Sequence, residues 1–124
     1  VSFHGTDDPL VPYDGGQLFG SSDRLRGRSS QPSNVTIKPT EDQLAGWAQR
    51  NGCTVGPTRT ERQGSVSEMS YSQCRDGADT VLYRIEGGGH TWPGATAVAE
   101  RALGPTTQDI DATVVILEFF DAHP

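Results

Sequence analysis

The chain has 124 residues, a formal net charge of −6 and a hydrophobic fraction of 33%, which suits one domain with a usable core. The acidic balance argues against a nucleic-acid partner, because phosphate binding needs a basic face, and no run of about 18 apolar residues exists to span a membrane. With 15 glycines and 8 prolines against roughly 12% Gly plus Pro in average usage, the chain is rich in loops, yet its apolar residues cluster as they do in a folded domain.

In chain order, residues 1–3 read as the end of a strand, with no initiator methionine, basic n-region or signal-peptide core. The sequence is therefore expected to be a piece of a longer protein. The loop His4-Gly5-Thr6-Asp7-Asp8 follows. Residues 14–39 read as a long irregular segment, with Arg24, Arg26 and Arg28 on a solvated loop and a weak glycosylation sequon at Asn34-Val35-Thr36. Residues 40–51 give the clearest helix. Thr40 and Gln43 suggest a capping box with Pro39 just outside, Leu44, Trp47 and Ala48 form a core-facing stripe, and Asn51-Gly52 ends it.

Residues 54–64 are polar and predict an exposed turn. Residues 66–72 alternate weakly and read as an edge strand, and residues 80–86 read as the next strand, close enough to pair with it as a hairpin. Residues 87–108 show no convincing element, the mark of a functional loop or a disordered one. The last segment, 109–121, is predicted as a helix capped by Asp109 or Thr107 and buried on a broad face, although its β-branched run would suit a strand. His123 reads as a surface residue.

Two stretches carry chemistry. Gly87-Gly88-Gly89-His90-Thr91-Trp92-Pro93-Gly94 follows a strand, and its glycines allow a sharp turn and close backbone approach. Asp7 and Asp8 follow the first strand in the same way. If the two strands are parallel, their loops converge at the carboxyl ends, and Asp8 and His90 come within hydrogen-bond reach. A carboxylate that orients an imidazole is the supporting half of a nucleophilic triad. Asp before His fits the α/β-hydrolase order. A metal site built from His4, Asp7, Asp8 and His90 lacks metal-type spacing, so neither metal nor cofactor is expected. Cys53 and Cys74 fit neither a zinc pair nor a redox motif; they are either a disulfide or two buried thiols.

The chain resembles the α/β-hydrolase esterases related to polyhydroxybutyrate depolymerases, feruloyl esterases and acetylxylan esterases. The likeness rests on residues 3–13 with Gly15-Gly16, on Trp47-Ala48 with Asn51-Gly52-Cys53, on Tyr71 with Cys74, and on Val81-Leu82-Tyr83. It continues through residues 86–94, Asp109-Ile110-Asp111-Ala112, Phe119-Phe120 and His123-Pro124, nearly the whole chain.

The resemblance implies an α/β fold in which residues 1–124 are the C-terminal part of an α/β-hydrolase domain. That part holds the last parallel strands, flanking helices and a small hairpin. By the same likeness Asp8 is the triad acid, with Asp7 as the alternative, and His90 is the base. Trp92, with Gly89 and Thr91 beside it, lines or buttresses the site. A Cys53–Cys74 disulfide, secretion and an ester substrate are also implied. The departure is the nucleophile: no Gly-x-Ser-x-Gly occurs, and the serines of Gly20-Ser21-Ser22 and Gly64-Ser65-Val66-Ser67 lack the spacing. The serine and the oxyanion loop are expected upstream of Val1. Without that part the chain is expected to be inactive and to dimerise, aggregate or remain partly unfolded, because an open sheet edge and uncovered apolar faces associate with other chains. The alternative is a non-catalytic binding or structural module.

Overall fold

The computed structural model describes residues 1–19, 32–96 and 99–124. The arginine loop at Arg24, Arg26 and Arg28, the Gly20-Ser21-Ser22 run and the side chain of Asn34 lie outside the described residues. The strands are β1 (Ser2–Gly5), β2 (Gly16–Phe19), β3 (Pro32–Ile37), β4 (Val55–Glu61), β5 (Val66–Ser72) and β6 (Thr80–Ile85). The helices are α1 (Thr40–Asn51), α2 (Glu100–Leu103) and α3 (Ala112–Ala122), and a 3₁₀ turn spans Arg75–Gly77.

The main sheet is mixed, in the order β1-β6-β5-β4. β1 runs parallel to β6 with Ser2 opposite Leu82 and Gly5 opposite Ile85, whereas β6–β5 and β5–β4 are antiparallel. A mixed sheet with flanking helices is compatible with an α/β architecture. Side chains alternate across the strands. Met69 and Leu82 pack with Leu44 of α1 and with Tyr13 to form the core, and Tyr71 leans on it. On the opposite face Phe3 stacks on Tyr83 at 5.1 Å between ring centroids. Leu82 and Val66 are the largest fully buried side chains, so Leu82→Ala would cost about 2–5 kcal/mol in lost transfer energy and residual cavity.

Several elements differ from the sequence expectations. Residues 14–39 contain β2 and β3, an antiparallel pair with Gly16 opposite Ile37. Residues 54–64 contain β4, exposed along its whole length. A strand with no buried face has no hydrophobic alternation to betray it; its ladder to β5 and the Arg62–Glu68 ion pair hold it. Because β4 takes the edge, β5 lies inside the sheet.

α1 has the expected bounds but a different start. Pro39 is its N-cap, and the Pro39 carbonyl accepts the first helical bond from Gln43 N at 3.0 Å. The capping box does not form: Thr40 Oγ1 is buried without a hydrogen-bond partner among the described residues, and the Gln43 side chain donates to Lys38 O. Gly52 closes the helix in the left-handed conformation, as expected of a glycine there. Trp47 is not core. It is 56% exposed, and the Arg50 guanidinium lies 4.2 Å from its ring centroid.

Among the described residues of 87–108 there is one short helix, α2. α3 is capped by Asp111, whose Oδ1 accepts from Thr113 N and Val114 N. Asp109 is engaged elsewhere, so it does not cap. The broad buried face expected of α3 is also absent: only Ala112 is buried, and Leu117 and Phe120 are 59% and 58% exposed. His123 is half-buried, stacked on Phe119 at 4.1 Å. Among the described residues, no helix is long and apolar enough to cross a membrane.

Candidate functional site

The site forms where β1 and β6 end side by side. Gly5 and Gly88 touch there: a Cβ on Gly5 would fall inside the Gly88 carbonyl. That approach lets Asp7 N donate to Gly88 O at 3.0 Å, while Thr6 Oγ1 accepts from Gly87 N at 2.8 Å. The two loops are thus stitched together before any functional side chain is considered. The Asp8 loop then closes on itself, with Leu10 N and Val11 N both donating to Asp8 Oδ1 at 2.8 Å. It is anchored in the core by buried Tyr13, whose carbonyl accepts from Thr40 N at 2.8 Å.

The Tyr13 hydroxyl donates to Glu41 at 3.1 Å, and Arg59 grips the same carboxylate through two guanidinium nitrogens. Burial, and then the charge and hydrogen bond of Glu41, push the Tyr13 phenol up to about 12. The Arg59 hydrogen bond is the chief cause of a lowered Glu41 pKa.

On the other side, the His90 loop lies against residues 103–107. Gly89 N donates to Pro105 O at 2.9 Å, His90 N to Leu103 O at 2.6 Å, and Gly94 N to Thr107 O at 2.9 Å. Gly89 is required for this fit, since a Cβ there would meet the Leu103 carbonyl. Thr91 Oγ1 donates to Pro105 O at 3.1 Å, and Trp92 Nε1 donates to Thr113 Oγ1 of α3 at 3.1 Å.

Between these loops His90 Nδ1 lies 2.8 Å from Asp8 Oδ2. An ionised carboxylate only accepts, so Nδ1 carries the proton and donates. The second nitrogen, Nε2, is then the basic one when the ring is neutral. The Asp8 side chain is 5% exposed and that of His90 is 48% exposed, so a sequestered carboxylate orients an accessible imidazole. The pair borders a cleft of about 460 Å³ lined by Phe3, Asp8, His90, Trp92, Pro93 and Thr107, among others. Such an arrangement can hold an imidazole in one tautomer and stabilise the imidazolium formed when Nε2 takes a proton. Among the described residues no hydroxyl hydrogen-bonds Nε2.

The other sequence candidates separate from this pair. Asp7 is exposed, and its carboxylate has no partner among the described residues. His4 packs edge-on against Tyr13. No group of three or more His, Cys, Asp or Glu among the described residues could hold a metal ion. Cys53 and Cys74 are disulfide-bonded, joining the end of α1 to the turn between β5 and β6.

Residues 103–109 were not legible as part of the site. Asp109 Oδ2 accepts from Ser65 N at 2.8 Å and from Ser65 Oγ at 2.7 Å. These bonds hold the Asp109 carboxyl below its usual range, the backbone donor contributing most. The polar run Thr107-Gln108-Asp109 carried a signal for this turn, but it reads equally as a helix cap.

The chain is 33% identical over 90 residues to feruloyl esterase B of Piromyces equi, a match covering 73% of this chain and 15% of that protein. It is 26% identical over 125 residues to a Nocardia uniformis subsp. tsuyamanensis protein named "Putative esterase NocK", covering 96% of this chain and 36% of that protein. No family model matches the chain, and no solved structure does. The chain therefore spans well under two thirds of either relative, and both relatives bear esterase names.

Proposed function

We propose that this chain supplies the acid and base of a serine-dependent carboxylic ester hydrolase, as the C-terminal portion of an α/β-hydrolase domain. Asp8 is the acid, His90 the general base, and Trp92, with Gly89 and Thr91, supports the base and borders the substrate. The observation that carries the reading is the buried Asp8 carboxylate on the Nδ1 of an exposed His90, at the carboxyl ends of two parallel strands. The esterase names of both partial relatives support it.

In this reading the nucleophilic serine and the oxyanion donors belong to a portion of the domain upstream of Val1. The serine would stand beside Nε2. His90 takes the serine proton as the oxygen attacks the ester carbonyl, and the imidazolium then protonates the departing alcohol. Water deacylates the enzyme by the same route in reverse. Substrates are esters of the feruloyl, acetyl or hydroxybutyrate kind. The disulfide fits an oxidising, extracellular setting.

The test is turnover of short-chain p-nitrophenyl and feruloyl esters. The 124-residue chain alone is expected to stay at background, since loss of the serine alone costs about 10⁶ in kcat in a comparable triad. Joined to its upstream portion, the protein should turn over such esters, and His90→Ala should abolish the activity. Turnover by the isolated chain that survives His90→Ala would overturn the assignment. An upstream portion without a nucleophile-elbow serine would favour a non-catalytic module instead.

A further inference from the structure

His90 is held from behind by a segment that has no regular structure of its own. Its backbone N–H, and those of Gly89 and Gly94, donate to the carbonyls of Leu103, Pro105 and Thr107, yet residues 104–111 form neither helix nor strand. Something must fix that segment, or its carbonyls could not fix His90. Among the described residues, its side-chain bonds to the main sheet converge on one residue, Ser65, at the turn between β4 and β5. Asp109 Oδ2 accepts from both Ser65 N and Ser65 Oγ, and Ser65 Oγ also meets Thr107 Oγ1 at 3.3 Å. Thr107 Oγ1 in turn accepts from Asp109 N at 3.1 Å. The Ser65 carbonyl accepts from Glu86 N at 2.8 Å, at the residue where the His90 loop leaves β6. Ser65 thus holds both the root of the His90 loop and the segment that lies behind it. Gly64 leaves the space for this, because a Cβ there would strike the Asp109 carboxylate.

We infer that Asp109 and Ser65 are positioning residues: their clip fixes residues 103–107 and through them sets His90 against Asp8, although neither touches the imidazole. The functional weight of this inference rests on reading His90 as the base. The positioning itself does not, and it is measured without any ester.

The experiment is NMR on the dilute 124-residue chain, comparing wild type with Asp109→Ala, Asp109→Asn and Ser65→Ala. Two signals are followed: exchange of the His90 backbone amide, and the Nδ1–H proton bonded to Asp8. Asp109→Ala should speed His90 amide exchange at least about tenfold and broaden the Nδ1–H signal, while amides of β5 and β6 keep their protection. Asp109→Asn, which retains an acceptor oxygen, should restore part of both. Ser65→Ala removes only the hydroxyl bond and should shift both signals less, in the same direction; it decides the matter if Asp109→Ala does not fold. Unchanged His90 signals in folded variants, or changes that merely track β5 and β6, would overturn the clip. Failure of the esterase reading would leave this result untouched.

Discussion

The Asp8 carboxylate and the His90 imidazole stand 82 positions apart in sequence and 2.8 Å apart in space. Asp8, not Asp7, makes the contact, and this separates the two neighbouring carboxylates by experiment. In a protein completed, as proposed, with an upstream portion that supplies the nucleophile, Asp8→Asn should lower kcat by about 10⁴, because an amide in place of the carboxylate favours the wrong tautomer. Asp7→Asn, at an exposed side chain, should stay within about twofold of wild type. Steady-state kinetics on a p-nitrophenyl ester measures both. A larger loss from Asp7→Asn would reassign the acid.

The disulfide closes a sequence separation of 21 residues. Chain entropy assigns such a loop about 3 kcal/mol of stabilisation. The double variant Cys53→Ser, Cys74→Ser should therefore unfold at a markedly lower urea concentration than the oxidised protein. Thiol titration of the unfolded, unreduced chain should find no free thiol.

β1 pairs only with β6 among the described residues, and α3 exposes Val114, Leu117 and Phe120. Open edges and apolar helix faces drive association. Sedimentation velocity of the isolated chain should show concentration-dependent self-association. Leu117→Gln with Phe120→Gln should weaken it, and a monomer at high concentration in the unmutated chain would refute the expectation.

Tyr13 makes the alkaline limit of stability testable. Burial and the neighbouring Glu41 carboxylate raise its phenol from the ordinary value of 10.0 to about 12 in the fold. The folded state therefore holds this proton more tightly than the unfolded chain does. The associated stability is fully present below pH 10 and is lost as pH rises towards 12. Tyr13→Phe keeps the ring but removes the titrating group, so the decline in urea midpoint over that window should be shallower. An identical decline in both proteins would assign it to other groups.

What the sequence made legible was governed by local chemistry. α1 was readable because its apolar stripe, its acidic first turn and its terminal glycine agree. The Asp8 and His90 loops were readable because Gly, Pro and Asp punctuate strand ends. β4 was not, since Thr58 and Thr60 alternate with Arg59 and Glu61 and neither face is buried. Trp47 and α3 misled for the opposite reason: an apolar stripe announces a buried face, yet Trp47 lies exposed beside the Arg50 guanidinium and α3 buries only Ala112. The Asp109–Ser65 contact spans 44 residues, beyond any local pattern.

The parallel pairing of β1 with β6 also bears on the order of assembly. β4, β5 and β6 follow one another as antiparallel neighbours within residues 55–85 and need only short loops to close. Joining Ser2 to Leu82 requires closure across nearly the whole intervening chain, and such distant contacts come at an entropic disadvantage that slows folding. The His90 loop can therefore take shape on β6 before Asp8 arrives. The Asp8–His90 hydrogen bond is therefore expected to form after the β4–β5–β6 meander, and its appearance in a refolding experiment would report the closure of β1 onto β6.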